Sequence, residues 1–329
     1  MKNIEKSISK MKENASLLGN KAAADIFFTE LGVGVDAVVF PPDTKLTVIK
    51  NILDKKVDFE KGVVVRFSKD NEINMPVAVN LTNLDNTINF INEKRRNKFT
   101  TIVCQTFNIK NSFEIYFEND TIFISVLPGK WDVTNNEPTD LIKIDDKSIS
   151  FFIYNKSRKV KMEETSIKEA FSFHELENIA DFVYSNNKIL IALKELYNPL
   201  FIRGWEDKNG YFCFSNCRKS NNKFEIKIPS EQIIKVSCEK DVDEIIDNST
   251  QILFDACATS RENDFILYKL AEKLKSKGVT SILCNSILSH QAIILREVGL
   301  NTIQMMKEND YLLKTKKVKE WNKISLIAN

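Results

Sequence analysis

Residues 287–300 read ILSHQAIILREVGL. They follow a short apolar run, VTSILCN at 279–285, and carry apolar side chains at helical spacing up to Gly299. A short β-branched run, then an amphipathic stretch stopped by glycine, predicts a strand leading into a helix. His290 falls in the first turn of that helix, where backbone N–H groups lacking helical partners and the helix dipole favour negative charge. A phosphate on this imidazole would be stabilised. From position alone, a polar residue opening a surface helix is the simpler reading.

The alternation continues towards the N-terminus. TQILFDA at 250–256 reads as a strand, and DFILYKLAEKLKSK at 264–277, stopped by Gly278, reads as a helix. Residues 223–329 are therefore expected to form a small βαβα domain. In such units ligands gather where strand ends meet helix starts, which is where His290 lies. Polar SNNK at 220–223 marks the boundary with a first domain, 1–222.

Within 1–222, a polar start precedes KAAADIFFTEL at 21–31, a helix with Gly32 and Gly34 as stop signals, and VDAVVF at 35–40, a strand. Helices are expected in KLTVIKNILDKK (45–56) and NTINFINEKRR (86–96), and strands in GVVVRFS (62–68) and FTTIVCQTF (99–107). From Ser112 to Met162 the segments FEIYFEND, TIFISVL, DLIKID, SISFFIYN and KVKM alternate with Asn, Asp and Gly turns, predicting an antiparallel sheet. Ser172 and Glu175 form a capping box ahead of one long amphipathic helix through 196, with His174 as a surface residue of its first turn. LFIRGWE (200–206) and YFCFSNCR (211–218) then read as a hairpin around a turn at 207–210. The expected fold class is α/β (α+β).

Composition removes several classes of function. Of 329 residues, 43% are hydrophobic and 28% charged, an ordinary globular balance. Forty-seven basic against 45 acidic residues leave +2, with no excess to attract a nucleic acid by counterion release. The basic run Lys314 to Lys319 reads as a solvated edge. With no apolar run of spanning length and a polar N-terminus, a cytoplasmic protein without membrane partners is expected. The six cysteines, at 104, 213, 217, 238, 257 and 284, contain no C-x-x-C pair and read as reduced thiols, most of them buried. Only His174 and His290 are available for imidazole chemistry.

Ser289 to Gly299, SHQAIILREVG, closely resembles the S-H-x-A-I-x-x-R-E-x-G signature of the swivelling phosphohistidine domain of phosphoenolpyruvate synthase, pyruvate phosphate dikinase and rifampicin phosphotransferase. In that family the histidine carries phosphate and an ATP-grasp domain lies upstream. Weaker likenesses follow in the family's order. Gly19-Asn20-Lys21-Ala22, with Phe40-Pro41-Pro42 after it, resembles G-G-K-A, and Val65-Arg66-Phe67-Ser68 resembles V-R-S-S. Val103-Cys104-Gln105-Thr106-Phe107 is similar to V-V-Q-x-M. Phe201 to Trp205, Asn209-Gly210 and Ser215 to Arg218 stand where the family has D-I-E-W, D-G and L-Q-x-R-P.

The resemblance implies an ATP-dependent, dikinase-like phosphotransferase. His290 would be catalytic, Lys21, Arg66, Gln105 and Arg218 would bind ATP, and Glu206 and Asn216 would hold Mg²⁺. Phosphate would pass to an unidentified small molecule or partner protein, since no room remains for the pyruvate-binding barrel. Departures motivate a second reading, a catalytically inactive nucleotide-binding, regulatory or scaffold relative. The acidic metal ligand falls on Arg203 or, with a shift, on Glu206, and the glutamine becomes Asn216. Asn285 and Ser286 replace two glycines, and Leu288 replaces a regulatory threonine. Arg296 and Glu297, about two turns after His290, either orient its imidazole or form surface pairs.

Overall fold

The computed structural model describes residues 2–69, 75–95, 98–106, 108–129, 139–154, 173–219, 225–227, 233–245, 251–256, 264–287, 289–306 and 311–317. In chain order the elements begin with α1 (Lys2–Leu18), α2 (Asn20–Glu30), β1 (Ala37–Phe40), α3 (Leu46–Lys56), β2 (Val63–Ser68), β3 (Val77–Leu81), α4 (Leu84–Arg95) and β4 (Thr100–Gln105). There follow β5 (Ile109–Glu118), β6 (Thr121–Pro128), β7 (Asp140–Ile144), β8 (Ser148–Tyr154), α5 (Phe173–Ser185), α6 (Asn187–Leu196), β9 (Leu200–Asp207) and β10 (Phe212–Lys219). The last are β11 (Ile226–Lys227), β12 (Ile233–Val236), α7 (Glu239–Asp243), β13 (Gln251–Phe254), α8 (Asp264–Ser276), β14 (Ser281–Cys284), α9 (His290–Val298), β15 (Asn301–Met305) and β16 (Tyr311–Lys317).

The chain forms two compact units. One comprises Met1–Lys110, Ile191–Leu193 and Ile202–Arg218, and the other Asn111–Leu190, Lys194–Phe201 and Lys219–Asn329. This division differs from a boundary at 222/223, because the C-terminal segment groups with the central sheet.

In the first unit, β1, β4, β2 and β3 form an antiparallel sheet in that order. The two-residue period of a strand decides what each side chain meets. Val63, Val65 and Phe67 of β2 enter a core with Ile49 and Leu53 of α3 and Ile91 of α4. The intervening residues of β2, Val64, Arg66 and Ser68, point to the other face, where Val64 packs with Val35, Cys104, Trp205 and Cys213. The polar start of the chain is helical. Ile4, Ile8, Met11, Ala15 and Leu18 recur at four and three, a stripe masked by the lysines and serines between them, and Met11 is buried.

In the second unit, β5, β6, β7, β8 and β16 form an antiparallel run. One face meets the helices, with Phe113 against Phe182 of α5, Phe151 against Phe173, and Lys194 of α6 over the Phe117 ring. The opposite face presents Glu114 and Tyr116. β5 is thus buried on both sides. The expected long helix is interrupted at Asn186, whose side-chain amide bonds back to the Phe182 carbonyl at 2.8 Å. The KVKM segment, Ser172 and the SNNK boundary lie outside the described residues.

The expected βαβα unit is a five-stranded parallel sheet, β11-β15-β14-β13-β12. Ile252, Phe254, Ile282 and Cys284 face α8 and α9, while Leu253, Leu283, Ile303 and Met305 cluster on the other side. The lysine-rich β16 is an edge strand, paired with β8 from Tyr311↔Tyr154 to Lys317↔Ser148. Among the described residues no helix is long and apolar enough to cross a membrane.

Phe67 is fully buried at the centre of the α3/α4 core. Phe67→Ala is expected to lower the unfolding free energy by about 3–5 kcal/mol, measured by urea titration.

Candidate functional site

The start of α2 is built against the end of β2. Gly19, at φ 83° and ψ 156°, joins α1 to α2 and precedes the first helical residue. A Cβ there would stand 2.5 Å from Ser68 Oγ and 2.8 Å from the Lys69 nitrogen, so glycine is required for both conformation and space. Glycine brings no capping side chain. Ser68 of β2 supplies one instead, its Oγ accepting the Ala22 N–H at 3.2 Å.

Asp25, one turn beyond Lys21, is buried and accepts from Arg66 Nη2 at 2.8 Å. Burial raises the Asp25 carboxyl above its ordinary value, and the charges of Arg66 and Lys21 offset this only in part. For Arg66, burial favours loss of the proton, but the charge of Asp25, with the nearby Cys104 and Cys213 sulfurs, outweighs it and raises its pKa. Asp25 Oδ1 and Arg66 Nε make no hydrogen bond. The structure therefore brings Lys21 and Arg66 together through a carboxylate that sequence reading missed. Asp25 stands four after Lys21 inside the apolar run AAADIFF, which is the signal that was there to find. Arg66 is thus in an ion pair through Nη2, with its Nε unbonded.

Gln105, expected near the nucleotide, is spent on the backbone. Its Oε1 accepts the Asp58 N–H at 3.3 Å, and its Nε2 donates to the carbonyls of Asp58 at 2.6 Å and Gly62 at 2.5 Å. It staples the turn ahead of β2 to the end of β4.

The β9–β10 hairpin holds the other three expected residues of this unit. Its turn is closed by Asp207 Oδ1, which accepts from the Asn209 and Tyr211 N–H groups at 2.8 and 2.9 Å, with Gly210 at φ 79°. Asn216 lies within β10 at φ 55°, and Arg218 lies half-buried two residues on. The buried Glu206 has Lys110 Nζ 3.4 Å from its Oε1. An ammonium thus lies beside the carboxylate that a divalent cation would need, and Arg203, also buried, adds positive charge on the same strand. No group of three or more His, Cys, Asp or Glu suited to a metal occurs among the described residues. Glu206 and Asn216 therefore do not fit the Mg²⁺ that the resemblance implies.

In the second unit, His290 is the first residue of α9. Ser289 caps the helix, its Oγ accepting the Ala292 N–H at 3.1 Å and donating to the Ser286 carbonyl at 2.8 Å. Gly299 ends it in the left-handed region, at φ 93°. Arg296 is buried, with Nη1 donating to Tyr116 Oη at 2.7 Å and to the Ile287 carbonyl at 2.9 Å. Glu297 bonds Tyr268, so neither residue forms the free surface pair that was one expectation. His174 is exposed on α5, with Nδ1 3.9 Å from Glu177.

The described thiols are free, and Cys104, Cys213, Cys217 and Cys284 are buried. Burial pushes the first three upward and Cys284 up to about 12, so these four are protonated core groups and not nucleophiles or metal ligands.

No family model matches the chain, and no curated protein matches it in sequence. Solved structures similar to it include a D-alanyl-alanine synthetase A from Vibrio cholerae, at 11% identity and a TM-score of 0.37 over 64% of this chain and 57% of that one. A D-alanine-D-alanine ligase from Helicobacter pylori is 12% identical with a TM-score of 0.38, over 62% and 54% of the two chains. A carboxyaminoimidazole ribonucleotide synthase from Aspergillus clavatus, complexed with ATP, is 8% identical with a TM-score of 0.35, over 61% and 44%. The chain thus spans about half the length of the proteins it matches, and likeness at this distance assigns neither fold nor activity.

Because the Asp25 carboxyl is raised in the folded chain, the unfolded chain releases this proton first as pH climbs. The group's contribution to stability is then greatest in acid and falls as pH rises from 3.8 towards the folded value. Urea titrations of wild type and Asp25→Asn across that range are expected to show the difference moving against wild type with rising pH.

Proposed function

We propose that this chain is an ATP-binding protein of the ATP-grasp type, and that the nucleotide's phosphates bind at the start of α2 with Lys21 as a phosphate-contacting cation. The observation that carries this reading is the junction at Gly19. There a helix N-terminus, an exchangeable hydroxyl at Ser68 and the cations of Lys21 and Arg66 converge on one strand end. Helix dipole and ammonium both favour an anion at that place. Isothermal titration with ATP is expected to give saturable binding that weakens by about tenfold or more in Lys21→Ala. Since Glu206 is neutralised by Lys110, binding is expected to persist within about threefold when Mg²⁺ is replaced by chelator. Equal affinity in Lys21→Ala and wild type would overturn the site.

A second reading, phosphoryl transfer through His290, is favoured by the capped helix that begins at that residue. The acceptor is then a small molecule or a partner protein, and the positively poised helix end stabilises the phosphorylated imidazole. Incubation with ATP labelled at the β- or γ-phosphate is expected to leave acid-labile label on wild type and none on His290→Ala. A folded, ATP-binding wild type that takes no label would leave the non-catalytic binding module. That module is favoured in turn by the pairing of β16 with β8, which anchors the C-terminal lobe to the central sheet.

A further inference from the structure

The backbone of Ile287, three residues before His290, is gripped by side chains at both its N–H and its carbonyl. Its carbonyl accepts from Arg296 Nη1 at 2.9 Å, and its N–H donates to Gln304 Oε1 at 3.0 Å. Gln304 also donates from Nε2 to the Asn285 carbonyl at 2.5 Å, and Ser289 Oγ closes the loop onto Ser286. The loop between β14 and α9 is therefore held by three side chains from α9, β15 and the loop itself. Its apolar side is held too, since Ile287 packs with Tyr116, Leu141, Phe201 and Met306.

Arg296 links this loop to the central sheet. A long helical side chain leans back towards the helix N-terminus, which takes the guanidinium from the last turn of α9 to the loop ahead of it. The same Nη1 donates to Tyr116 Oη on β5, Nη2 lies 3.6 Å from Glu114 Oε2, and the guanidinium stands over the Phe201 ring at 5.6 Å. Burial works against the charge, but Tyr116, Glu114, Cys284 and Glu297 together outweigh it and raise the pKa of the guanidinium. Its Nε and Nη2 nonetheless make no hydrogen bond. A buried cation with unspent donors is costly, and an apolar residue of similar volume would pack here without that cost.

We infer that Arg296 is a positioning residue for His290, fixing the loop before it and tying that loop through Tyr116 and Glu114 to β5. The inference rests on the reading of His290 as a phosphate acceptor. Its consequence is that a change at residue 116 alters the reactivity of an imidazole far away in sequence.

The test uses Tyr116→Phe, which keeps the ring and its contact with Phe201, and Arg296→Lys, which keeps the charge and loses the fork. Wild type and both variants are treated with phosphoramidate. An imidazole nitrogen forms a P–N bond to phosphorus, the reagent's own P–N bond breaks, and ammonia leaves. The two histidines are resolved by mass spectrometry, so exposed His174 is an internal standard. Amide hydrogen exchange across 285–292 is followed in parallel.

Both variants are expected to lower the His290 to His174 labelling ratio by about threefold or more. Exchange at Ile287 and Ala292 is expected to rise by about tenfold, the scale of a lost hydrogen bond to a charged group. A ratio within about twofold of wild type, a ratio that rises, or no label at His290 in any of the three proteins would overturn the inference, even where exchange increases. Because the reagent replaces ATP, a protein that takes no label from ATP but shows the lowered ratio would sink the phosphotransfer reading and leave the positioning role of Arg296 standing.

Discussion

A guanidinium enclosed in the interior of the second unit must find its partners within reach or cost the fold several kcal/mol. Arg296 finds them on β5, in Tyr116 and Glu114, and in the backbone of the loop that precedes its own helix. Much else in that unit is consistent with this constraint. Glu114 and Tyr116 reach the C-terminal lobe because β5 alternates, sending Phe113 and Phe117 to α5 and α6 and the even-numbered residues the other way. The Glu114 row continues across the sheet through Ser125, Leu141 and Phe152, so the surface under the lobe is polar near β5 and apolar further on.

The first unit repeats the logic on a smaller scale. Val63, Val65 and Phe67 of β2 anchor the strand in one core, which obliges Arg66 and Ser68 to face α2. Gly19 lets that helix begin close enough for Ser68 to cap it. The arrangement of Lys21, Asp25 and Arg66 is thus a result of strand alternation and one glycine.

What was legible in the chain follows from this. Period-two and helical patterns were readable wherever apolar residues stood out, and β1, β2, β4 to β10, α2 to α4, α8 and α9 lie where those patterns place them. α1 was hidden because its apolar stripe is diluted by lysines and serines. The break at Asn186 was hidden because its cause is a side chain returning to its own backbone. Of the candidate site, the positions of Lys21, Arg66 and His290 on helix starts and a strand end were legible from motif and spacing. Their partners were not. Asp25, Gln304 and Glu114 matter through contacts made by folding, and nothing local distinguishes Glu114 from an exposed strand residue. Gln105 shows the converse, since a motif likeness placed it near a nucleotide while its amide is committed to the Asp58 and Gly62 backbone.

The charge pairs bear on activity as well as on fold. Arg66 with Asp25 and Glu206 with Lys110 each set a cation against a carboxylate at positions where the resemblance implies a phosphate-binding guanidinium and a metal ligand. On the proposed reading an anion would compete with Asp25, which accepts from Arg66 Nη2 at 2.8 Å. The proposed reading, phosphate binding at Lys21 and the start of α2 without a protein-held metal, is the one these two pairs favour. Lys110 Nζ stands 3.4 Å from Glu206 Oε1, at a residue to which the resemblance assigns a metal.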